Sequence, residues 1–352
     1  MNRLVLIDGN AILHRAFHAL PPLTTSSGEL VNAVYGFTSM LLKIFEQFHP
    51  EYVAVCFDRK APTFRKEKYK DYQAKRPKMV DELIGQIDRV HEVVKTMNIP
   101  VFEIDGYEAD DLIGTLATQA TNFQKNQNTQ KARKSERQKT RESDLSDISD
   151  FPTSPTFRHS EFSEKNGLET VIVTGDRDLL QLVNDYTKVY MPTKGLSQAT
   201  LFDKEGVRGK MGVEPSQIPD LKALIGDQSD NYPGVAGIGP KTAIDLINNY
   251  DNIKNLYRHL HNLPKPIAEK LAKAREDADM SYYLATIIKD APIKINLEKC
   301  KLTDYDWDEV AQLFDRLEFR SLIPRLPKDV HNIEKPTDEV SKQKEEEQMG
   351  LF

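Results

Sequence analysis

Three short apolar runs in this chain, rich in β-branched residues, each end in acid, and no other feature restricts the fold as strongly. They are LVLIDGN, closing on Asp8; YVAVCFD, closing on Asp58; and TVIVTGDRD, closing on Asp176 and Asp178. Short apolar runs of this kind read as buried strands. Between the first two, residues 31–48 place Val34, Phe37, Met40, Leu41, Ile44 and Phe45 at helical spacing. Strand, helix, strand implies a right-handed parallel crossover. Further along, the spacing predicts a helix over 80–97, a strand over 101–104, a helix from Tyr107 to about Ala120 and an edge strand over 188–191. The pattern is that of an α/β fold on a parallel sheet.

In such a sheet, ligands bind beyond the carboxyl ends of the strands, which is where the acids fall. GYEADDLIG adds Glu108, Asp110 and Asp111 at the start of a helix, and GDQSDN adds Asp227 and Asp230. Carboxylates are favoured in a first helical turn by its free amides, so the three in GYEADDLIG say little by themselves. Together with Asp8, Asp58, Asp176 and Asp178 they converge on one edge. Carboxylates so close repel one another unless cations neutralise them. Hard divalent ions that prefer oxygen ligands, magnesium first and manganese as an alternative, are the natural partners.

Two other stretches stand out. Residues 64–78, FRKEKYKDYQAKRPK, hold seven basic residues against two acidic ones, with Phe64, Tyr69 and Tyr72 interleaved. A basic run alone reads as a solvated helix face. Directly after Asp58 it acquires a use, because cations beside a metal cluster hold phosphates and offset charge in a transition state, and an aromatic can stack on a base. Residues 231–243, NYPGVAGIGPKTA, place Gly234, Gly237 and Gly239 before a helix N-terminus, a ready phosphate site. Pro240 interrupts the Gly-Lys-Thr of a nucleotide P-loop, and Thr242 stands where a dinucleotide fingerprint needs its third glycine. A hairpin gripping nucleic-acid phosphates remains, with Lys241 adding a charge.

The net charge of −6 argues against nucleic acid only until its distribution is considered, since an acidic cluster masks basic surfaces elsewhere. The two cysteines, Cys56 in a strand and Cys300 far from it, suggest neither disulfide nor zinc site. No run is long enough to cross a membrane, and a reducing cytoplasm is the expected location. From about 122 to 165 the chain loses periodicity and reads as a disordered insertion.

LVLIDGN, VAVCFD, GYEADDLIGTLA, VIVTGDRDLLQLV, GDQSDNYPGVAGIGPKTA and LEFRSLIPRL, in this order, together resemble the 5′→3′ exonuclease (5′-nuclease) domain of bacterial DNA polymerase I, of the flap endonuclease superfamily. The resemblance covers residues 1 to about 326 apart from the insertion. It implies a PIN/resolvase-like nuclease core over 1–200, a helical helix–three-turn–helix DNA-binding region over 201–326 and a charged tail over 327–352. It implies a two-metal site on Asp8, Asp58, Glu108, Asp110, Asp111, Asp176, Asp178, Asp227 and Asp230. Gly234, Gly237 and Gly239 fall on the family hairpin, which holds potassium and the duplex backbone. In the family's basic helix, Tyr72 and Arg76 match and are expected to be catalytic, Arg76 neutralising the scissile phosphate; Gln73 stands at the lysine position, with Lys75 nearby as a catalytic substitute. Arg65 in the same run is assigned to DNA. The implied activity is cleavage at DNA 5′ ends and 5′ flaps, in primer removal and repair, by a monomer. Two rivals are a PIN-like ribonuclease, much shorter and without the hairpin, and a DNA-binding protein without catalysis, against which the unbroken acid set speaks. In the tail, Gln348, Leu351 and Phe352 are spaced as in the Gln-x-x-Leu-Phe peptide that docks on the sliding clamp.

Overall fold

The computed structural model describes residues 2–125, 167–194, 198–302 and 305–326. Six strands, β1 (Asn2–Asp8), β2 (Tyr52–Cys56), β3 (Val101–Phe102), β4 (Leu168–Val173), β5 (Thr187–Lys194) and β6 (Gln198–Phe202), form one sheet in the order β3-β2-β1-β4-β5-β6. All neighbouring pairs are parallel except β5 with β6. The strand expected at the edge, β5, is therefore interior. The true edge, β6, was missed because its side chains are mostly exposed and carry no apolar run.

Helices α1 (Gly9–Ala19), α2 (Asn32–Phe48), α3 (Phe64–Lys68), α4 (Asp81–Thr96) and α5 (109–125) belong to the first half. Every residue of β2 and β4 is buried, because helices cover both sheet faces. Alternation along the strands divides the core. Leu4, Leu6, Ala54, Cys56 and Ile172 pack with Leu112, Ile113 and Leu116 of α5. Val5, Ile7, Val53, Val55 and Val171 pack with Ile12 of α1, Phe37 and Leu41 of α2, and Val90 of α4. The helix α5 runs on to residue 125, so the expected insertion does not begin at 122; Gln124 is 4% exposed and accepts a hydrogen bond from Leu168 N at 2.5 Å. The remainder of the insertion, and the tail with Gln348, Leu351 and Phe352, lie outside the described residues.

The second half contains α6 (Lys204–Met211), α7 (Ile218–Ile225), α8 (Pro240–Tyr250), α9 (Ile253–Arg258), α10 (Lys265–Lys273), α11 (Arg275–Ala285) and α12 (Trp307–Arg316). The boundary expected at 200/201 falls inside β6. Residues 305–326 also depart from the expected helical region. Tyr305, Val310, Leu313, Phe314, Leu317, Phe319, Leu322 and Leu326 join the core on the α2–α4 side of the sheet. Phe314 and Phe319 are fully buried there, and burying each such ring contributes roughly 2–3 kcal/mol. Burial, rather than order along the chain, assigns this segment to the sheet. Among the described residues no helix is long and apolar enough to cross a membrane.

Candidate active site

The strand order brings the carboxyl ends of β2, β1 and β4 side by side. β1 lies between them, at the point where the chain begins to build the sheet in the opposite direction. A cleft of about 850 Å³ opens there, and Asp8, Asp58, Glu108, Asp110, Asp176 and Asp230 line it together with Arg76. Asp8 ends β1 and caps α1, accepting from Ala11 N at 2.9 Å and from Thr174 Oγ1 at 2.7 Å. Asp58 follows β2; it accepts from Ala109 N at 2.7 Å, while its own N–H donates to Asn10 Oδ1 at 3.0 Å. Glu108 precedes α5 and accepts from Thr63 Oγ1 at 2.9 Å and from the Tyr72 hydroxyl at 3.1 Å. Beyond β4, Asp176 accepts from Asp178 N at 2.8 Å. Backbone amides and hydroxyls thus hold these acids at fixed positions before any ligand arrives.

Their electrostatics record the crowding. Burial, with the neighbouring charges of Asp58 and Asp176, raises Asp8 to about 7 against the opposing hydrogen bonds of Ala11 and Thr174. Burial raises Glu108 to about 7 as well, although Arg65 acts against it. Asp110 is pushed well above the carboxylate range by burial and by the charges of Asp176, Asp8, Asp58 and Glu108. Asp58 is also raised, by burial in the cleft floor and by Asp111, even though part of it meets solvent. At neutral pH such a cluster binds protons unless another cation displaces them.

A second group adjoins the first. Carboxylate oxygens of Asp178, Asp227 and Asp230 all lie within 4.8 Å of one another. In this arrangement two cations of the protein touch them. The ammonium of Lys222 pairs with Asp178 and, at 2.5 Å, with Asp227, and Arg76 pairs with Asp230 at 2.5 Å. Burial alone would raise Asp227, but Lys222 beside it holds it down at about 2. Asp178, more deeply buried and next to Asp176, rises to about 7 despite the same lysine. The donor set is carboxylate oxygen throughout, which suits magnesium or manganese and not a thiophilic ion. Tyr232 is 3% exposed, and its hydroxyl is buried with no hydrogen-bond partner among the described residues. The charges of Asp178, Asp227 and Asp230 act on this orphaned donor, which fits a site made to take a hydrated ion.

Four sequence assignments change. Asp111, expected as a metal ligand, is fully buried, and both its oxygens are spoken for. They accept from Arg65 at 2.7 and 2.8 Å, from Glu108 N at 3.1 Å and from Ile288 N at 2.9 Å. Arg65, expected on DNA, is 2% exposed and also donates to Leu284 O and Thr286 O. The two form an internal ion pair that ties α5 to the segment after α11. Tyr72, expected to be catalytic, is 4% exposed and its hydroxyl donates to Glu108, so it positions that carboxylate. Gly234 packs inward: a Cβ there would lie 2.3 Å from Gly226 N, so its role is to let two backbones meet.

The expected basic helix stops at Lys68, and turns follow to residue 76. Gln73 has φ +56°, which no helix interior accommodates, and its N–H donates to Asp230 O at 2.9 Å. Asn231 Nδ2 donates to Asp71 O at 2.7 Å, so the segment is pinned to the Asp227–Tyr232 loop. Arg76 remains in the cleft; Lys75 lines a neighbouring cavity of about 570 Å³ with Tyr69, Asp227 and Tyr232. In the glycine loop, Gly237 has φ +76°, and its carbonyl accepts from Lys270 Nζ at 3.0 Å. Gly239 is the N-cap of α8 with no side-chain cap, and a Cβ there would meet nothing within 4 Å. Exposed Lys241 follows two residues later. Sequence reasoning missed Lys222, Thr174, Tyr232 and His14, which also lines the cleft. For Lys222 one signal existed: a lone lysine inside the apolar α7 helix IPDLKALI.

Comparison with known proteins agrees with this geometry. A sequence profile described as 5′-3′ exonuclease, N-terminal resolvase-like domain, matches residues 3–130, and one described as 5′-3′ exonuclease, C-terminal SAM fold, matches 213–308. DNA polymerase I of Caldicellulosiruptor bescii is 39% identical over 326 residues, 92% of this chain and 33% of that protein. DNA polymerase I of Bacillus subtilis is 35% identical over 328 residues, 93% of this chain and 32% of that protein. The chain therefore spans about a third of the length of the curated relatives it matches. Among solved structures, the bacteriophage T5 flap endonuclease, in a pseudo-enzyme–product complex with DNA and metal ions, superposes with a TM-score of 0.58 at 17% identity, over 92% of this chain and 99% of that one. The catalytic core of Rad2 in complex with DNA substrate gives 0.51 at 16% identity, over 92% of each chain. At these identities the two structures share the fold.

Proposed function

The chain belongs to the 5′-3′ exonuclease family, and from that premise we propose that it hydrolyses DNA phosphodiesters at 5′ ends and at 5′ flaps beside a duplex. The observation that carries the reading is the convergence of Asp8, Asp58, Glu108, Asp110 and Asp176 in one cleft, with Asp178, Asp227 and Asp230 adjoining. The first group would hold one divalent ion and the second group another. The chemistry that such a pair supplies is activation of water for attack and offset of charge on the leaving oxygen. The protein's own part is positional. Thr174 and Ala11 fix Asp8, Thr63 and Tyr72 fix Glu108, and Arg76 offers the phosphate a cation from the cleft wall.

The duplex would lie against the uncapped start of α8, where free amides, Gly239 and Lys241 meet phosphates without reading bases. A potassium ion at this hairpin, as the family implies, would draw on carbonyls other than that of Gly237, which Lys270 already meets. Primer removal and repair are the processes this chemistry serves, in the cytoplasm and as a monomer. A tether to the sliding clamp through Gln348, Leu351 and Phe352 would raise the local concentration of the nuclease at the junction. The full chain, given a labelled 5′-flap duplex, is expected to cleave only with magnesium or manganese. Asp176→Asn is expected to abolish cleavage while retaining DNA binding. Cleavage in chelator, or by the variant at the wild-type rate, would refute the two-metal reading.

A further inference from the structure

The loop after α7 folds back on itself through a two-residue antiparallel bridge. Asp227 N donates to Tyr232 O at 2.9 Å, and Tyr232 N donates to Asp227 O at 3.0 Å. Residues that exchange both backbone hydrogen bonds in this way project their side chains to the same side. The bridge therefore sends the side chain of Tyr232 the way it sends that of Asp227, and both residues are among those lining the cavity of about 570 Å³. A phenol is protonated at ordinary pH and therefore offers its hydrogen as a donor.

The ring is packed: it shares a buried cluster with Tyr72, Leu284 and Ala285. Its hydroxyl is not satisfied. It is buried and has no partner among the described residues, although the charges of Asp178, Asp227 and Asp230 act on it. An unpaired buried hydroxyl destabilises the fold, and a phenylalanine would fill the same space without that cost. Two cations, Lys222 and Arg76, contact the three carboxylates, and neither reaches the Tyr232 hydroxyl.

We propose that Tyr232 is a positioning residue of the second metal site, its hydroxyl donating to the hydration shell of the ion held by Asp178, Asp227 and Asp230. The proposal rests on the metal-centre reading above and adds a residue to it. Magnesium keeps several of its waters when carboxylates bind it, and losing a group that orients the shell around a metal typically costs about 10–100-fold in affinity. Tyr232 contributes a neutral donor to a cluster whose other donors, Lys222 and Arg76, are already paired with its carboxylates.

The test is manganese binding to the full chain, read from the electron paramagnetic resonance of the free ion, for the wild type, Tyr232→Phe and Asp227→Asn. Phenylalanine retains the ring that packs on Tyr72, so the fold persists, and melting in chelator checks this. The expected result is a loss of about tenfold in manganese affinity at one site of Tyr232→Phe. Its melting temperature in chelator is expected to equal or exceed that of the wild type, and the manganese-induced rise in melting temperature to shrink. Cleavage by the variant should need more magnesium and recover at high magnesium. Wild-type manganese affinity in Tyr232→Phe, with the site lost in Asp227→Asn, overturns the role of Tyr232 alone. Unchanged manganese binding in Asp227→Asn removes the second metal site itself, and the proposal with it.

Discussion

Asp8→Asn should make the metal-free protein more stable while abolishing its activity. Asp8 is 4% exposed, and folding raises it from 3.8 to about 7. The folded state therefore holds the proton more tightly than the unfolded chain. The cost of the buried charge is absent at pH values below 3.8, grows as pH rises, and is complete above about 7. Over that interval it amounts to about 4 kcal/mol. Asparagine is a permanent stand-in for the protonated form. Its oxygen can still cap α1 by accepting from Ala11 N, and its amide can meet the Thr174 hydroxyl, so the local hydrogen bonds survive. The expected gain in chelator is about 4 kcal/mol at pH 8 and about 1.5 kcal/mol at pH 5. In a chain of this length each kcal/mol moves Tm by roughly 2 °C. Thermal melts of both proteins at the two pH values, in chelator, decide the matter. A gain that is the same at pH 5 and pH 8, or a loss at pH 8, would refute the argument that uncompensated charge at Asp8 destabilises the protein in chelator.

The same cluster makes metal and pH interdependent: magnesium should raise Tm by more at pH 8 than at pH 5.5, because above about 7 it relieves charged carboxylates and below that it must displace protons; equal shifts would contradict this. Arg65→Met should destabilise the chain by about 3–5 kcal/mol by leaving Asp111 buried and unpaired, and Arg65→Met with Asp111→Leu should recover most of the loss, as measured by urea unfolding. Gly239→Val should lower Tm only slightly, by the poorer N-cap that valine makes, since a Cβ meets nothing there, yet weaken duplex binding about equally for every sequence tested; a sequence-dependent loss would point to base contacts. The equivalent change at Gly237 is a poorer test, because its φ of +76° would strain the fold as well.

Much of this molecule was legible in the residues because the signals are local. Strands β1, β2 and β4 are short apolar runs, and in a parallel sheet the residue that ends each run stands at one edge. Asp8, Asp58 and Asp176 had to meet there once the strand order was β2-β1-β4. The tertiary structure decided what depends on partners far along the chain. Asp110 and Asp111 are neighbours in sequence, but successive helical residues point about 100° apart. One faces the cleft. The other faces the segment after α11, where Ile288 N and Arg65 take both its oxygens. The basic run carries the charge of a helix, yet its path is set by hydrogen bonds from Gln73 to Asp230 and from Asn231 to Asp71, across more than 150 residues. Lys222 and Tyr232 gain their importance only because the loop between α7 and α8 folds back to the end of β4. Composition and spacing record which groups a chain possesses. Which of them share a few ångströms of low-dielectric space is fixed by packing, and there a carboxylate becomes either half of an ion pair or a ligand in waiting.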